Sequence, residues 1–310
     1  MPTTAPIAVP TETPSTRSSC PICGGDCRPA GQREGRVIRR PFHLLHCPSC
    51  DFYFVADPTD RYDLIYDEAY YSGRGADPLI DYLAELDDPA STVRRHEWAG
   101  TCKLVDALVG LTSGTRWLDF GCGNGGQVRF ARQHASADVV GYDIGWITGV
   151  SKARGIPILS DAELAAANGT FDVATALEVI EHVPDPVAFL RQIYSALKPG
   201  GMLYFTTGNV EAHRHRLLEW SYVVPDLHVS FFTPKAADVA LKAAGFEVVP
   251  FTWRPGCREI IRFKTLKNLG FRRNAWWQGA LPWTLLSPVL ASRFKVFSFP
   301  LARKPLSATT

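Results

Sequence analysis

The ten residues LDFGCGNGGQ at 118–127 constrain the fold more than any other part of this 310-residue chain. Four glycines follow a carboxylate at the end of an apolar run, RWLDF, which reads as a short buried strand. GGQVRFARQHA, which follows, has helical periodicity. The glycines must turn the chain sharply from strand into helix. Backbone N–H groups then stand at the carboxyl end of a strand, where α/β sheets bind ligands. Two spacings fit the same residues. Gly121, Gly123 and Gly126 make the G-x-G-x-x-G of a dinucleotide turn, whereas Asp119, Gly121, Gly123 and Gly125 make D-x-G-x-G-x-G.

Electrostatics separates the two. A dinucleotide turn offers N–H groups and a helix N-terminus to a doubly anionic pyrophosphate, and the Asp119 carboxylate would repel it. S-adenosylmethionine (SAM) has no phosphate and carries an ammonium and a sulfonium, which a carboxylate attracts. Asp119 thus favours SAM over NAD. Asp143 ends the next strand, DVVGYD, and can take both ribose hydroxyls, a contact that serves either cofactor. Asp161, after the strand PILSD, either accepts from an adenine amino group or caps the helix AELAAA.

Residues 93–266 alternate between helical and strand periods. VRRHEWAGTCKLVDALVGL sets Trp98, Cys102, Val105 and Val109 on one helical face. FDVATAL and MLYFTT read as buried strands. DPVAFLRQIYSALKPGG is a helix with Asp185 at its cap and Pro186 in its first turn, ended by Pro199-Gly200-Gly201; TPKAADVALKAAGF repeats that start at Thr233-Pro234. EVVPFTW and REIIRFKTL flank an Arg-Pro-Gly turn and predict a closing antiparallel pair. The fold class expected is α/β: a Rossmann-like, doubly wound, mostly parallel sheet with a closing antiparallel strand.

LDFGCGNGG, VVGYD, FDVATALEVIEHVPDP and LKPGG, in this order and spacing, resemble the class I SAM-dependent methyltransferases. The EHVPDP version is similar to the branch that holds quinone O-methyltransferases and many natural-product enzymes. The resemblance covers 93–266 and implies that Asp119, Gly121, Gly123 and Asp143 bind cofactor. It also implies that Leu177 and Glu178 lie beside the methionine end.

CPICGG and CPSC place Cys20, Cys23, Cys47 and Cys50 in two C-x-x-C knuckles, the ligand set of a tetrahedral structural Zn²⁺. Residues 19–56 therefore read as a zinc ribbon, expected to be a separate module whose folding energy comes from metal. Cys27, His43 and His46 are near enough in sequence to substitute as ligands. RYDLIYDEAYYSG dominates a Tyr-rich connection at 57–92, in which Tyr70 and Tyr71 either cap the SAM pocket or simply pack. This order of ribbon, Tyr-rich segment and methyltransferase fold resembles the sugar C-methyltransferases of deoxysugar pathways. Those enzymes carry a further C-terminal domain that is not matched here, which argues against a nucleotide-sugar acceptor.

Methyl transfer to a hydroxyl needs positioning and removal of a proton. His182, in EVIEHV, follows a strand at the cofactor end of the sheet. His228, in PDLHVSFFTP, precedes the Thr233 cap. Either can be the general base, with a pocket-wall or substrate-contact role as the alternative. His213 and His215 read as exposed helix residues. Residues 274–292 carry no charge, but Pro282 and Pro288 would break a spanning helix, and Trp276, Trp277 and Trp283 suit an interface. The extension at 267–310 is either packed, on the sheet or on a dimer partner, or a peripheral membrane contact.

A net charge of +2 gives no strong field for nucleic acid, so no DNA partner is expected and RNA is disfavoured. An RNA methyltransferase stays as a rival because some ribosomal-RNA guanine methyltransferases carry an N-terminal zinc ribbon. A SAM-binding scaffold without turnover is the other rival. The first 18 residues read as a disordered tail with no apolar secretion segment, so a cytoplasmic, reducing setting is expected. The sequence reads as a SAM-dependent methyltransferase of a small organic acceptor, with oxygen favoured over nitrogen or carbon.

Overall fold

The computed structural model describes residues 17–75, 80–294 and 300–306. The expected N-terminal tail lies outside the described residues except for Arg17 and Ser18. Three strands come first: β1 (Arg28–Glu34), β2 (Pro41–Cys47) and β3 (Phe52–Val55). β1 and β2 form an antiparallel hairpin joining the two cysteine knuckles, and β3 pairs antiparallel with β2. The Tyr-rich stretch supplies two short helices, α1 (Glu68–Tyr71) and α2 (Tyr82–Asp87), capped by Asp67 and Asp81, which accept from the Tyr70 and Ala84 amides.

The larger unit begins with α3 (Arg95–Val109), which buries Trp98, Cys102 and Val105 as its period requires. Then follow β4 (Arg116–Phe120), α4 (Gly126–His134), β5 (Asp138–Tyr142), α5 (Ile147–Ala153), β6 (Ile158–Leu159), α6 (Asp161–Ala166), β7 (Phe171–Leu177), α7 (Pro186–Ala196) and β8 (Leu197–Thr206). Asp185 caps α7 by accepting from the Ala188 amide, and Val187, Leu190 and Ile193 are its buried stripe. Leu197, which the sequence placed inside that helix, instead opens β8. β9 (Ser230–Phe231), α8 (Pro234–Ala243), β10 (Glu247–Val249), α9 (Cys257–Asn268), α10 (Trp276–Ala280), α11 (Trp283–Phe294) and β11 (Leu301–Arg303) complete the described chain.

The main sheet has the order β10-β11-β8-β7-β4-β5-β6. β6, β5, β4, β7 and β8 are parallel; β11 runs antiparallel to β8, and β10 antiparallel to β11. Strand order reverses between β4 and β7, so the ligand crevice opens at their carboxyl ends. The Rossmann-like class is as expected, but the closing pair is not made by REIIRFKTL. Those residues form α9. Gly256, at φ 95°, turns the chain into that helix against the Gly100 backbone, and Ile260, Phe263 and Leu266 recur at helical spacing on its buried face. The closing strand comes instead from Leu301–Arg303, which fills the gap between β8 and β10.

The ribbon does not stand apart. All four residues of β3 are buried, which requires covered faces and filled edges. β9, from beyond β8, supplies the missing edge, making a four-stranded sheet β1-β2-β3-β9. Tyr53 lies opposite Phe231 and the Val55 amide donates to the Val229 carbonyl at 2.9 Å. Asp226, buried beneath the hairpin, accepts from the Val37 and Ile38 amides.

Candidate functional site

Asp119 is the penultimate residue of β4 and is buried. One of its oxygens accepts from the Thr175 hydroxyl at 2.7 Å, and Thr175 in turn accepts from the Trp117 indole at 2.9 Å. Burial pushes the Asp119 carboxyl up to about 7, against the pull of Thr175 and Arg94. Gly121, Gly123 and Gly125 all lie at positive φ (77°, 54° and 72°). Gly126, the third glycine of the dinucleotide spacing, opens α4, where a side chain would collide with the Trp98 ring; the glycines fit both spacings, and Asp119 makes the choice. At Gly121 a side chain would meet Val179 at 2.5 Å.

Asp143 follows β5 and closes over the turn, accepting from the Gly123 amide at 2.6 Å and the Ile144 amide at 2.7 Å. Burial raises its carboxyl to about 6. Tyr71 is buried beside this strand end, with its ring 5.8 Å from Trp146. Asp161 is exposed at the start of α6 and accepts from the Tyr142 hydroxyl at 2.9 Å. It is not the helix cap: Ser160 is, in a reciprocal capping box with Glu163.

Leu177 ends β7, and Glu178 follows it at φ 56°, a left-handed conformation that costs energy for a side chain of this kind. Burial pushes Glu178 up, but Lys264 and Lys267 hold it down to about 2, with the Lys264 ammonium on its carboxylate. Behind it lies a group of buried charges absent from the sequence reading. Arg94 pairs with Glu85 at 3.3 Å and approaches Glu97 at 3.7 Å, and Glu97 approaches Lys264. The Arg94 Nε and one Glu97 oxygen are buried without a hydrogen-bond partner among the described residues, an unusual cost unless a ligand completes them. Arg94 has no local sequence signal beyond its position before a helix, and Lys264 was assigned to a strand.

His182 and His228 are brought together, their rings 4.7 Å apart and edge to face. The His182 Nδ1 lies 2.9 Å from the Tyr66 hydroxyl and 3.1 Å from the Leu227 carbonyl. The His228 Nδ1 lies 2.6 Å from the Tyr222 carbonyl. A carbonyl only accepts, so Nδ1 carries the proton and Nε2 is the basic nitrogen. Burial, and then His182, hold His228 well below the usual imidazole range. Glu181 is also buried: Tyr222 donates its hydroxyl to one oxygen at 2.7 Å, and the other has no hydrogen-bond partner among the described residues. Burial and the Glu178 charge raise Glu181 to about 8. Polar side-chain atoms of Glu181, His182 and His228 lie within 4.8 Å of one another. Glu181 and Tyr222 were missed in the sequence, although Glu181 precedes His182 directly. His215 is exposed, as expected; His213 instead stacks on Trp220 at 4.2 Å.

The thiols of Cys20, Cys23, Cys47 and Cys50 also converge within 4.8 Å, with Cys20–Cys50 and Cys23–Cys47 at 3.5 Å. A tetrahedral zinc with 2.3 Å bonds sets its sulfurs about 3.8 Å apart, so the cluster fits that ion. The substitutes are engaged elsewhere: Cys27 with the Gly25 carbonyl, His43 with Asp57 and His46 with Asp51.

Residues 82–250 match the family model described as "Methyltransferase domain". The ubiquinone biosynthesis O-methyltransferase of Bordetella avium is 37% identical over 128 residues, which are 37% of this chain and 49% of that protein. Its namesake from Paraburkholderia phymatum is 30% identical over 184 residues, 51% of this chain and 76% of that one. The chain thus spans about half the length of the first of these relatives. Among solved structures, a SAM-dependent methyltransferase from Archaeoglobus fulgidus is similar at TM-score 0.45 and 17% identity, covering 72% of this chain and 99% of that one. On the turn geometry, the sheet order and the match over more than half its length, the chain belongs to the class I SAM-dependent methyltransferases.

Proposed function

We propose that the chain transfers the SAM methyl group to a hydroxyl oxygen of a small organic acceptor, with His228 as the base. The observation that carries this reading is the buried, neutral imidazole with Nδ1–H fixed on the Tyr222 carbonyl. An N-methyltransferase acting on a free amine has less need of such a base. The relatives named as O-methyltransferases support the same choice.

Asp119 would hold the cofactor ammonium and Asp143 the ribose hydroxyls. The glycine turn would let the backbone close on the amino-acid moiety, Leu177 and Glu178 would flank it, and Tyr71 would cover it. Asp161 would reach the adenine side. Arg94, whose charge acts on Asp119, would supply a cation for the cofactor carboxylate. In the transfer, the acceptor oxygen bonds to the methyl carbon as the carbon–sulfur bond breaks in line, its electron pair returning to sulfur. The hydroxyl proton goes to the His228 Nε2. His182, held by Tyr66 and the Leu227 carbonyl, positions that ring. The four cysteines would hold one structural zinc.

Calorimetry tests the cofactor assignment: S-adenosylhomocysteine should bind and NADH should not. Transfer from methyl-labelled SAM to a panel of phenols, amines and carbon acids tests the acceptor class. Labelling of amines or carbon acids alone would overturn O-methylation, and binding without any transfer would leave a scaffold.

A further inference from the structure

We propose that the outer face of α10 and α11 docks on an anionic lipid surface. α11 turns Trp283, Ser287 and Leu290 inward, with Trp283 packed against Val93, Phe263 and Leu266. A surface helix normally offers polar residues on its other side. Here that side presents Leu285, 73% exposed, and Val289, 64% exposed, with Pro288 between them. Trp276 on α10 is 88% exposed, and Leu269, Phe271, Trp277 and Leu281 are exposed in the same stretch of sequence, Phe271 lying 5.4 Å from Trp277. Isolated exposed leucines need no explanation, but a run of this length does.

Charge decides what covers it. After Glu259 the sequence has no further Asp or Glu; of the cations there, Lys264 is buried against Glu97 and Glu178 and Lys304 donates to the Tyr194 and Leu197 carbonyls. Arg272 and Arg273 are exposed between Phe271 and Trp276. A second copy docked across a two-fold axis would press this cationic rim against itself. A bilayer with anionic headgroups offers apolar depth under the tryptophans and negative charge for the arginines. No described helix is long and apolar enough to cross a membrane, so the contact lies in the interface plane.

Flotation of the full chain with vesicles of phosphatidylcholine, with or without phosphatidylglycerol, tests this. Partition into the phosphatidylglycerol vesicles is expected, falling as salt rises. Arg272→Ala with Arg273→Ala should weaken it about thirtyfold, roughly fivefold for each cation. Trp276→Ala with Leu285→Ala should weaken it about tenfold or more. Unchanged S-adenosylhomocysteine binding shows that the variants are folded. Equal partition into both vesicle types, or none at low salt, overturns the proposal. So does a lipid-independent dimer that the Trp276 and Leu285 changes dissociate, or saturable binding to polyglutamate without vesicle partition.

Discussion

Cofactor binding should be steeply pH-dependent, and the structure sets the window. In the ligand-free protein Asp119 titrates at about 7 and Asp143 at about 6, both raised by burial. A cofactor ammonium requires Asp119 ionised. Below pH 7 the free protein must give up that proton to bind, and above it the carboxylate is already charged. The pKa is higher in the free state than in the complex, so affinity rises with pH and protons are released on binding. Linkage gives about a tenfold loss per unit well below pH 7, or about a hundredfold between pH 8 and 5 for Asp119 alone. Asp143 adds about tenfold more at pH 5. Calorimetry with S-adenosylhomocysteine in two buffers of different ionisation enthalpy should count about one and a half protons released at pH 6 and about none at pH 8. Asp119→Asn should cost about 1.5–3 kcal/mol at pH 8 and leave only the lower limb from Asp143. Affinity that is flat from pH 5 to 8, or proton uptake, would refute both the ammonium contact and the burial argument.

His228→Ala should lower turnover by about 10²–10⁴-fold with little change in S-adenosylhomocysteine affinity. At saturating cofactor, turnover rises with pH as the base loses its proton, and burial places the His228 limb below the usual imidazole value of 6.5. A limb above that value assigns the titration to another group. Cys47→Ser should release zinc, by metal analysis, and should also depress turnover, because β3 sets the edge on which Val229 and Ser230 follow His228; full activity without metal would show the ribbon to be independent. Lys264→Met should strip Glu178 of its main counter-charge, destabilising the protein by about 3–5 kcal/mol in thermal or denaturant unfolding; a change under about 1 kcal/mol would mean that Glu178 is solvated.

What the sequence disclosed was local. The glycine turn at 121–125, the Asp185-Pro186 and Thr233-Pro234 helix starts and the paired cysteines each sit within a few neighbouring residues, so spacing alone exposes their chemistry. α9 was misread because an apolar run such as EIIRF satisfies a helical and a strand period at once. Its outcome was set by Gly256 and by burial against α3. β11 was invisible for a different reason: three residues, LAR, have no periodicity, and their strand character comes entirely from β8 and β10. At the candidate site, the sequence singled out Asp119, Asp143 and His182 because each ends or follows a strand, and His228 because it precedes the Thr233 cap. Arg94, Lys264, Glu181 and Tyr222 were not. Their significance lies in burial and in partners far along the chain, and no local pattern marks a charge that folding will enclose.

The position of β11 also bears on how the chain is made. Its partners are Met202–Tyr204 on one side and Glu247–Val249 on the other, so both are synthesised well before Leu301. Until residues 301–303 emerge, the growing polypeptide carries β8 with an open hydrogen-bonding edge and β10 with no strand to join. Open edges on a half-built sheet invite pairing with other nascent chains. Late, non-local closure of this kind is also slow, because a long loop must be ordered before the strand is rewarded. Shortening the chain by ten residues would therefore harm its yield more than the candidate site, whose Asp119 and Asp143 stand at β4 and β5, away from that edge.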